Sequence, residues 1–273
     1  MIFFLTSQPL WLSGVMVVGL GTLLAMLGPA LVRRHVDVKR LTANNEIAGF
    51  KFATIGVLYA VLLAFAIIVV WEKFSNAELD VVQEAGAAEN LYRLSQGLND
   101  KTGAAVRGAV ASYLKAAMEN DWPAMDRGTA GAGGAAKQAL DTVYTALLSS
   151  DAQGNGTVVS EMLRQLELIT QSRRARLVAA EGAVPNVIWL VLLGGAVVTI
   201  GFTFFFGTES LRAQVVMTAL LAVLIFSEVL IIIAIDRPFT GAVKVEPKAL
   251  AAVLADVESR ADHGSGRIAP AQK

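Results

Sequence analysis

Cysteine is missing from all 273 residues. Disulfides, thiolate metal sites and cysteine nucleophiles are therefore excluded. Histidine is almost as scarce: the only two, His35 and His263, lie far apart in sequence. Net charge is absent as well. The 23 basic and 23 acidic residues balance, which leaves no surplus to draw the chain to nucleic acid. There is no serine, histidine and aspartate set with a nucleophile turn, no phosphate loop ending in glycine, lysine and serine or threonine, and no close set of metal ligands. Glycines between Gly128 and Gly134 approach GxGxxG spacing, but they follow no strand and open no βαβ unit, so they read as a loop. The expectation is a chain that is not an enzyme and carries no metal and no cofactor.

Charge of either sign is also sparse, at 17% of residues against 55% hydrophobic, with a positive mean hydropathy. That is too apolar for an ordinary soluble domain. What fills the sequence instead is four long apolar runs, about Trp11 to Leu31, Ala53 to Val70, Val187 to Phe206 and Val215 to Ile235. Each meets the roughly 20 residues a helix needs to cross a hydrocarbon core of about 30 Å. The first run is of full membrane length with no basic leader before it, so it is expected to remain as a transmembrane helix and not to be removed as a signal.

The loop after the first run carries Arg33, Arg34, Lys39 and Arg40, and the loop between the third and fourth adds Arg212. Basic residues in short loops favour the cytoplasm. Lys73, Arg173, Arg174, Arg176, Arg237, Lys244 and Lys248 stand near span ends on the opposite face. Trp11, Trp71 and Trp189 fall at span ends that alternate topology assigns to one face, as headgroup anchors would. The expected location is the bacterial inner membrane, with the insert and the carboxyl terminus in the periplasm.

The insert, residues 72–184, reads as helical throughout. Four seams carry coiled-coil-like spacing: Val81, Ala85, Ala88, Tyr92 and Ser95; Val106, Val110, Tyr113 and Ala117; Ala136, Leu140, Val143 and Leu147; Val159, Met162, Leu166 and Ile169. Breaks are expected at Asn99 and Asp100, at Asp121 with Pro123 starting a new helix, along the glycines from Gly128, and at Asp151 to Gly156 before a capping Thr157. Alanine-rich seams bury little area per residue, which predicts a thin bundle completed by a second subunit. With no proline or glycine from Tyr59 to Ala85, the second span is expected to run on through Trp71, Glu72 and Lys73 as one helix.

The full layout is then all-α. It comprises two spans with a basic connecting loop (1–71), a helical bundle (72–184), two further spans (185–236), a turn and short amphipathic helix (237–262) with Leu250, Val253, Leu254 and Val257 on its apolar face, and a disordered tail (263–273).

Within the membrane, Gly49, Ala53, Gly56, Ala60 and Ala64 make a small-residue stripe where another helix can approach, and Gly195, Thr199, Thr203 and Gly207 repeat the pattern on the third span. Two readings stay open, packing inside one subunit and lining of a narrow pore. Glu228, roughly 10 Å inside the end of the fourth span, must face protein or water because an ionised carboxylate in lipid costs several kcal/mol. It reads either as a cation or proton site or as a paired carboxylate joining helices. Asn45, Glu46 and Lys51, with Asn44, crowd the entry to the second span as permeation candidates or as caps and snorkelling groups. Asp236, Arg237, Pro238, Phe239 and Gly241 form the turn after the fourth span, where proline stops the helix and Phe239 can plug the base of the bundle.

The run NNEIAGFKFATIGVLYAVLLAF from Asn44 to Phe65, WEKF from Trp71 to Phe74, and DRPFTG from Asp236 to Gly241 resemble a group of bacterial membrane proteins labelled bestrophin-like. The resemblance implies four spans around a helical insert, and the label suggests oligomeric anion channels. It carries over no functional residue, and it implies a cytosolic insert, the reverse of what the basic loops favour. Two functions follow as alternatives. One is an oligomeric, channel-like protein in the lipid bilayer that conducts an ion or binds a small ligand; the other is an extracytoplasmic helical-bundle sensor or scaffold acting through a partner protein.

Overall fold

The computed structural model describes residues 2–129, 134–149 and 156–265. Among these there is no strand, and the chain is all-α. Short helices α1 (Ile2–Thr6) and α2 (Leu10–Gly14) lead through a π turn at Val15–Gly19 into α3 (Leu20–His35). After α4 (Val38–Ala43) comes α5 (Asn45–Leu94), a single helix of 50 residues, about 75 Å long at 1.5 Å per residue. Then follow α6 (Asp100–Ala116), α7 (Trp122–Asp126), α8 (Ala135–Ser149), α9 (Gly156–Ala179), α10 (Asn186–Thr203), α11 (Leu211–Ile235) and α12 (Lys248–Ser265). Four stretches are long and apolar enough to cross a membrane: Leu10–His35, the first part of α5, α10 and α11. The continuity of α5 past Trp71 has the reason foreseen, the absence of proline and glycine from Tyr59 to Ala85, and the helix also carries Gly86 without a break.

The chain divides into two compact units. The first takes residues up to Phe74, 182–237 and 241–244, and the second takes 75–181, 238–240 and 245 onward. In the first, the core is built by one face of each span. Tyr59, Leu63, Ala66 and Val70 of α5 repeat at four, three and four residues, and they meet Leu192, Ala196 and Ile200 of α10 and Ile225, Val229 and Ile232 of α11. Residues such as Phe50, Leu190 and Leu220 stay exposed on the outer faces, which suits hydrocarbon as the solvent. Glycine lets helices close up where rings intrude: a Cβ on Gly28 would lie 2.2 Å from the Phe204 ring, and one on Gly195 would lie 2.5 Å from Tyr59.

Two expectations about this unit change. The third span ends at Thr203, not Phe206, because the next carbonyls leave the helical ladder for turn bonds and for the side chain of Gln214. Trp189 is not an interfacial anchor but a core residue, 4% exposed, whereas Trp11 and Trp71 are 70% and 63% exposed.

In the second unit the four seams face inward. All their members are buried except Val159, which is partly so. Asn99 caps α6 by accepting from Thr102 N at 2.9 Å, as a break there requires. Asp121 is different. The chain does not break before Pro123; it passes from α6 through a π turn at Ala117–Asp121 into α7, and stops only where Gly128 adopts φ 70°. The extra residue of the π turn swings Asp121 inward, where it is 2% exposed. Thr157 lies inside the first turn of α9 and not at its cap. The bundle is also thicker than alanine seams suggest, since α12 supplies Leu250 and Val257 to the core and the Tyr92 hydroxyl donates to Val257 O at 3.5 Å. With no proline or glycine between Lys248 and His263, α12 runs to Ser265; residues 266–273, the rest of the expected tail, lie outside the described residues.

Candidate functional site

At the entry to α5, Asn45 clasps the turn after α10. Its Nδ2 donates to Gly207 O at 2.6 Å and its Oδ1 accepts from Gly207 N at 2.9 Å. Gly207 must be glycine, because an added Cβ would stand 2.4 Å from the backbone nitrogen of Thr42. Beside it, Arg33 Nε donates to Gln214 Oε1 at 2.8 Å and Nη2 reaches Thr208 O at 2.5 Å. Gln214 Nε2 donates in turn to Phe206 O at 2.7 Å and Phe204 O at 3.2 Å. A cation and an amide thus satisfy carbonyls of the turn that follows α10, while the helix's own last carbonyls are taken by turn bonds and by the Thr203 hydroxyl. Of the residues foreseen here, Asn45 is a helix clasp, while Glu46 and Lys51 are exposed on α5.

Deeper in the unit, the Tyr59 hydroxyl donates to Leu192 O at 2.8 Å. Glu228 is partly exposed on α11. Thr203 and Thr218 pair through their hydroxyls at 3.3 Å, whereas the buried hydroxyl of Thr199 has no hydrogen-bond partner. The stripe on the third span is therefore packed, with Gly195 against Tyr59 and Gly207 against Thr42.

The stripe on α5 is not packed against other described residues of the chain. Ala53, Ala60 and Ala64 are exposed and Gly49 and Gly56 half-buried. A Cβ on Gly56 would meet nothing within 4 Å, and one on Gly49 only Phe206 at 4.0 Å. The buried face of α5 is instead the neighbouring row of Tyr59, Leu63, Ala66 and Val70.

At the far end of α11, Asp236 Oδ1 accepts from the backbone nitrogens of Ala183 and Val184, each at 2.8 Å. Burial raises its carboxyl above the usual range, against the lowering effect of those two bonds and of Arg237 and Lys73. A Cβ on Gly182 would sit 2.9 Å from Asp236 Oδ2. The Arg237 guanidinium lies 5.1 Å from the Phe3 ring. Gly241 adopts φ 89°. Pro238, Phe239 and Thr240 belong to the second unit, where Phe239 is 1% exposed and stands edge-on to Trp122 with centroids 5.9 Å apart.

A family model described as the bestrophin-like domain matches residues 19–250, nearly the whole of this arrangement. The chain belongs to the bestrophin-like family. Solved structures agree on the fold of this bestrophin-like chain. A mutant of a bacterial bestrophin homologue from Klebsiella pneumoniae superposes with a TM-score of 0.69 at 14% identity, over 88% of this chain and 99% of that one. A second mutant of that homologue gives 0.69 at 12%, over 89% and 98%. A structure described as a membrane protein gives 0.70 at 10%, over 90% and 97%. No curated protein matches the sequence.

One group in the bestrophin-like chain escaped the sequence reading altogether. Arg176 of α9 is fully buried and forks onto Glu84 of α5, with Nε to Oε2 at 2.8 Å and Nη2 to Oε1 at 2.9 Å, while Nη2 also reaches Asp121 Oδ2 at 3.2 Å. Arg173 makes its own fork onto Asp121, at 2.8 and 3.2 Å. The Tyr113 hydroxyl donates to Glu84 Oε1 at 2.5 Å, and the Trp122 ring centroid lies 4.2 Å from the Arg176 guanidinium carbon. Two cations and two carboxylates cancel. Burial, with Glu84 next to it, pushes the Tyr113 phenol well above its ordinary value. Burial alone would lower Arg176, but the Glu84 carboxylate more than reverses this and holds the guanidinium charged. Arg173 and Arg176, counted from sequence among charges beside a span, are thus inside a helical core. Among the described residues no three His, Asp or Glu side chains converge as metal ligands.

Proposed function

We propose that this bestrophin-like protein assembles as a homo-oligomer in the bacterial inner membrane and forms an ion-permeation path to which α5 contributes its small-residue face. The observation that carries this is the stripe of Gly49, Ala53, Gly56, Ala60 and Ala64, which no helix covers among the described residues of the chain. In lipid, small residues gain close backbone contact with another helix or leave room for a narrow passage, and within one subunit this stripe achieves neither. The partners under this reading are the bilayer, further copies of the chain and a permeating ion or small ligand. Glu228 is the intramembrane carboxylate that would meet a cation or proton on the way. Asn45, Glu46 and Lys51 stand at the mouth, with Asn45 holding the turn and Glu46 and Lys51 exposed to solutes.

Reconstituted full-length protein is expected to conduct ions across liposomes. Glu228→Gln should alter the flux and Ala60→Trp should abolish it. Because Ala60 is exposed, the second substitution should change subunit stability by no more than about 0.5 kcal/mol, so a lost flux reports the path and not unfolding. Absence of flux for any common ion would remove the reading. The sensor or scaffold alternative draws on α5 being one unbroken helix shared by both compact units, and it would then take precedence.

The basic loops favour a periplasmic insert and carboxyl terminus. Reporter fusions within residues 72–184 and at the carboxyl terminus are both expected to signal the periplasm. Cytoplasmic signals from both would reverse the orientation to the one the family label implies.

A further inference from the structure

Where α3 passes through α4 into α5, at one end of the first unit, basic side chains collect without partners. Arg34 stands in the last turn of α3, Lys39 and Arg40 on α4 and Lys51 early in α5, all four exposed. Among the described residues none of them forms an ion pair. Arg33 beside them is different, being taken up by Thr208 and Gln214, and His35 turns back onto Leu31 O at 3.1 Å. The stretch has two carboxylates. Asp37 Oδ1 accepts from Lys39 N at 3.2 Å as the cap of α4, and Glu46 stands about 140° around α5 from Lys51. Residues 33–51 therefore set five Lys and Arg against two acids, in a chain whose basic and acidic totals are equal. Glu209 and Arg212, just beyond the clasped turn at Gly207, offset each other.

Depth follows from the apolar residues on either side. Leu31, three residues before Arg34, is exposed, and so are Ile47 and Phe50, four and seven residues beyond Ala43. At 1.5 Å per residue, side chains suited to hydrocarbon begin within about 6 Å of both ends of the connection. That puts α4 at the headgroup layer. Lys51, one turn beyond Ile47, reaches back to the same layer because helical side chains tilt toward the N-terminus. On α4 itself Leu41 is buried, and Lys39 points away from it, about 160° around the helix.

Unpaired cations at headgroup depth, bracketed by residues that face hydrocarbon, match one partner. We propose that this corner is a docking surface for anionic phospholipid, whose headgroups are held by Arg34, Lys39, Arg40 and Lys51. Charge complementarity selects it, because a zwitterionic headgroup brings its own cation and gains little from four more. An acidic protein segment would meet the same side chains, but it would have to displace the headgroups that a bilayer already sets there. The surface also bears on the clasp made by Asn45, since the backbone of α4 at Thr42 closes on Gly207; lipid held on α4 braces that turn. The proposal needs the spans alone and neither the permeation path nor its orientation, so it stands or falls separately from ion flux.

The test is native mass spectrometry of the full-length protein in detergent, titrated with dioleoylphosphatidylglycerol or dioleoylphosphatidylcholine, with a thermal melt at each end point. The wild type is expected to bind phosphatidylglycerol more tightly and to melt higher with it, since a lipid that binds only the folded protein raises its melting temperature. The double variant Lys39→Gln with Arg40→Gln should weaken phosphatidylglycerol about 25-fold, roughly fivefold for each basic residue at a lipid surface. It should leave phosphatidylcholine unchanged and lose the extra thermal shift. Both positions are exposed, so without lipid this variant should melt with the wild type. Lys101→Gln with Lys137→Gln, the same charge change at exposed positions of the second unit, should keep the preference. Equal affinity of the wild type for the two lipids would overturn the proposal. So would a second-unit variant that loses as much as the α4 variant, because the effect would then belong to net charge and not to this surface. An unchanged preference in the α4 variant would overturn it too, and would leave the cations to an acidic protein partner.

Discussion

Replacing Arg176 by methionine should destabilise the second unit by about 3–5 kcal/mol, the cost of removing one partner from a buried ion pair. Glu84 would lose both fork bonds and keep only the Tyr113 hydroxyl, which cannot neutralise a carboxylate that is fully buried. The loss is not a statement that the network stabilises the fold by that amount, since desolvating four charges offsets most of their attraction. A second variant separates the two quantities. The double substitution Glu84→Gln and Arg176→Met removes one charge of each sign and leaves the Arg173 and Asp121 fork intact, so it should recover more than half of the loss. Hydrogen exchange of α6 and α9 amides in the full chain reads both. A single Arg176→Met variant within about 1 kcal/mol of wild type would contradict the burial on which this rests.

The network was partly legible, and the reason it was passed over is specific. The α9 seam of Met162, Leu166 and Ile169 continues at the same spacing to Arg173 and Arg176, and Glu84 stands three residues after Val81 on the α5 seam. Charge on a core face is the signal, because such a residue stays buried only when paired. What the sequence could not display was the third member. Asp121 beside Pro123 has the marks of a helix start, and only the π turn, which shifts the register by one residue, aims the carboxylate inward. The membrane spans and the bundle seams were readable for the opposite reason: they depend on local periodicity alone. Trp189 shows the limit, since tryptophan at a span end is read as an anchor while its burial depends on the faces of α5 and α11 that share its core cluster. The site residues share that limit. Asn45 and Gly207 are 162 residues apart, so their clasp was invisible, whereas the α5 stripe was visible as a pattern and only its lack of a partner within the chain is new.

Gly241→Ala should cost about 3 kcal/mol or more, through two effects that add at one atom. The backbone there has φ 89°, a conformation that costs a residue with a Cβ roughly 1–2 kcal/mol. The added carbon would also fall 2.0 Å from the carbonyl oxygen of Thr6, and overpacking against backbone typically costs about 1–3 kcal/mol. Neither side can yield cheaply. Thr6 is buried and its hydroxyl donates to Ile233 O at 3.2 Å. On the other side of the glycine, Thr240 donates to Met125 O at 3.1 Å and Phe239 is locked against Trp122. Gly194→Ala is the matched control: a Cβ there meets nothing within 4 Å, and inside a helix the exchange should be neutral or stabilising by up to about 1 kcal/mol. A thermal melt of the two variants in detergent should therefore move them in opposite directions. If Gly241→Ala instead melts with the wild type, the turn after the fourth span does not need glycine, and the close approach of Thr6 to residue 241 is not a feature of the folded protein.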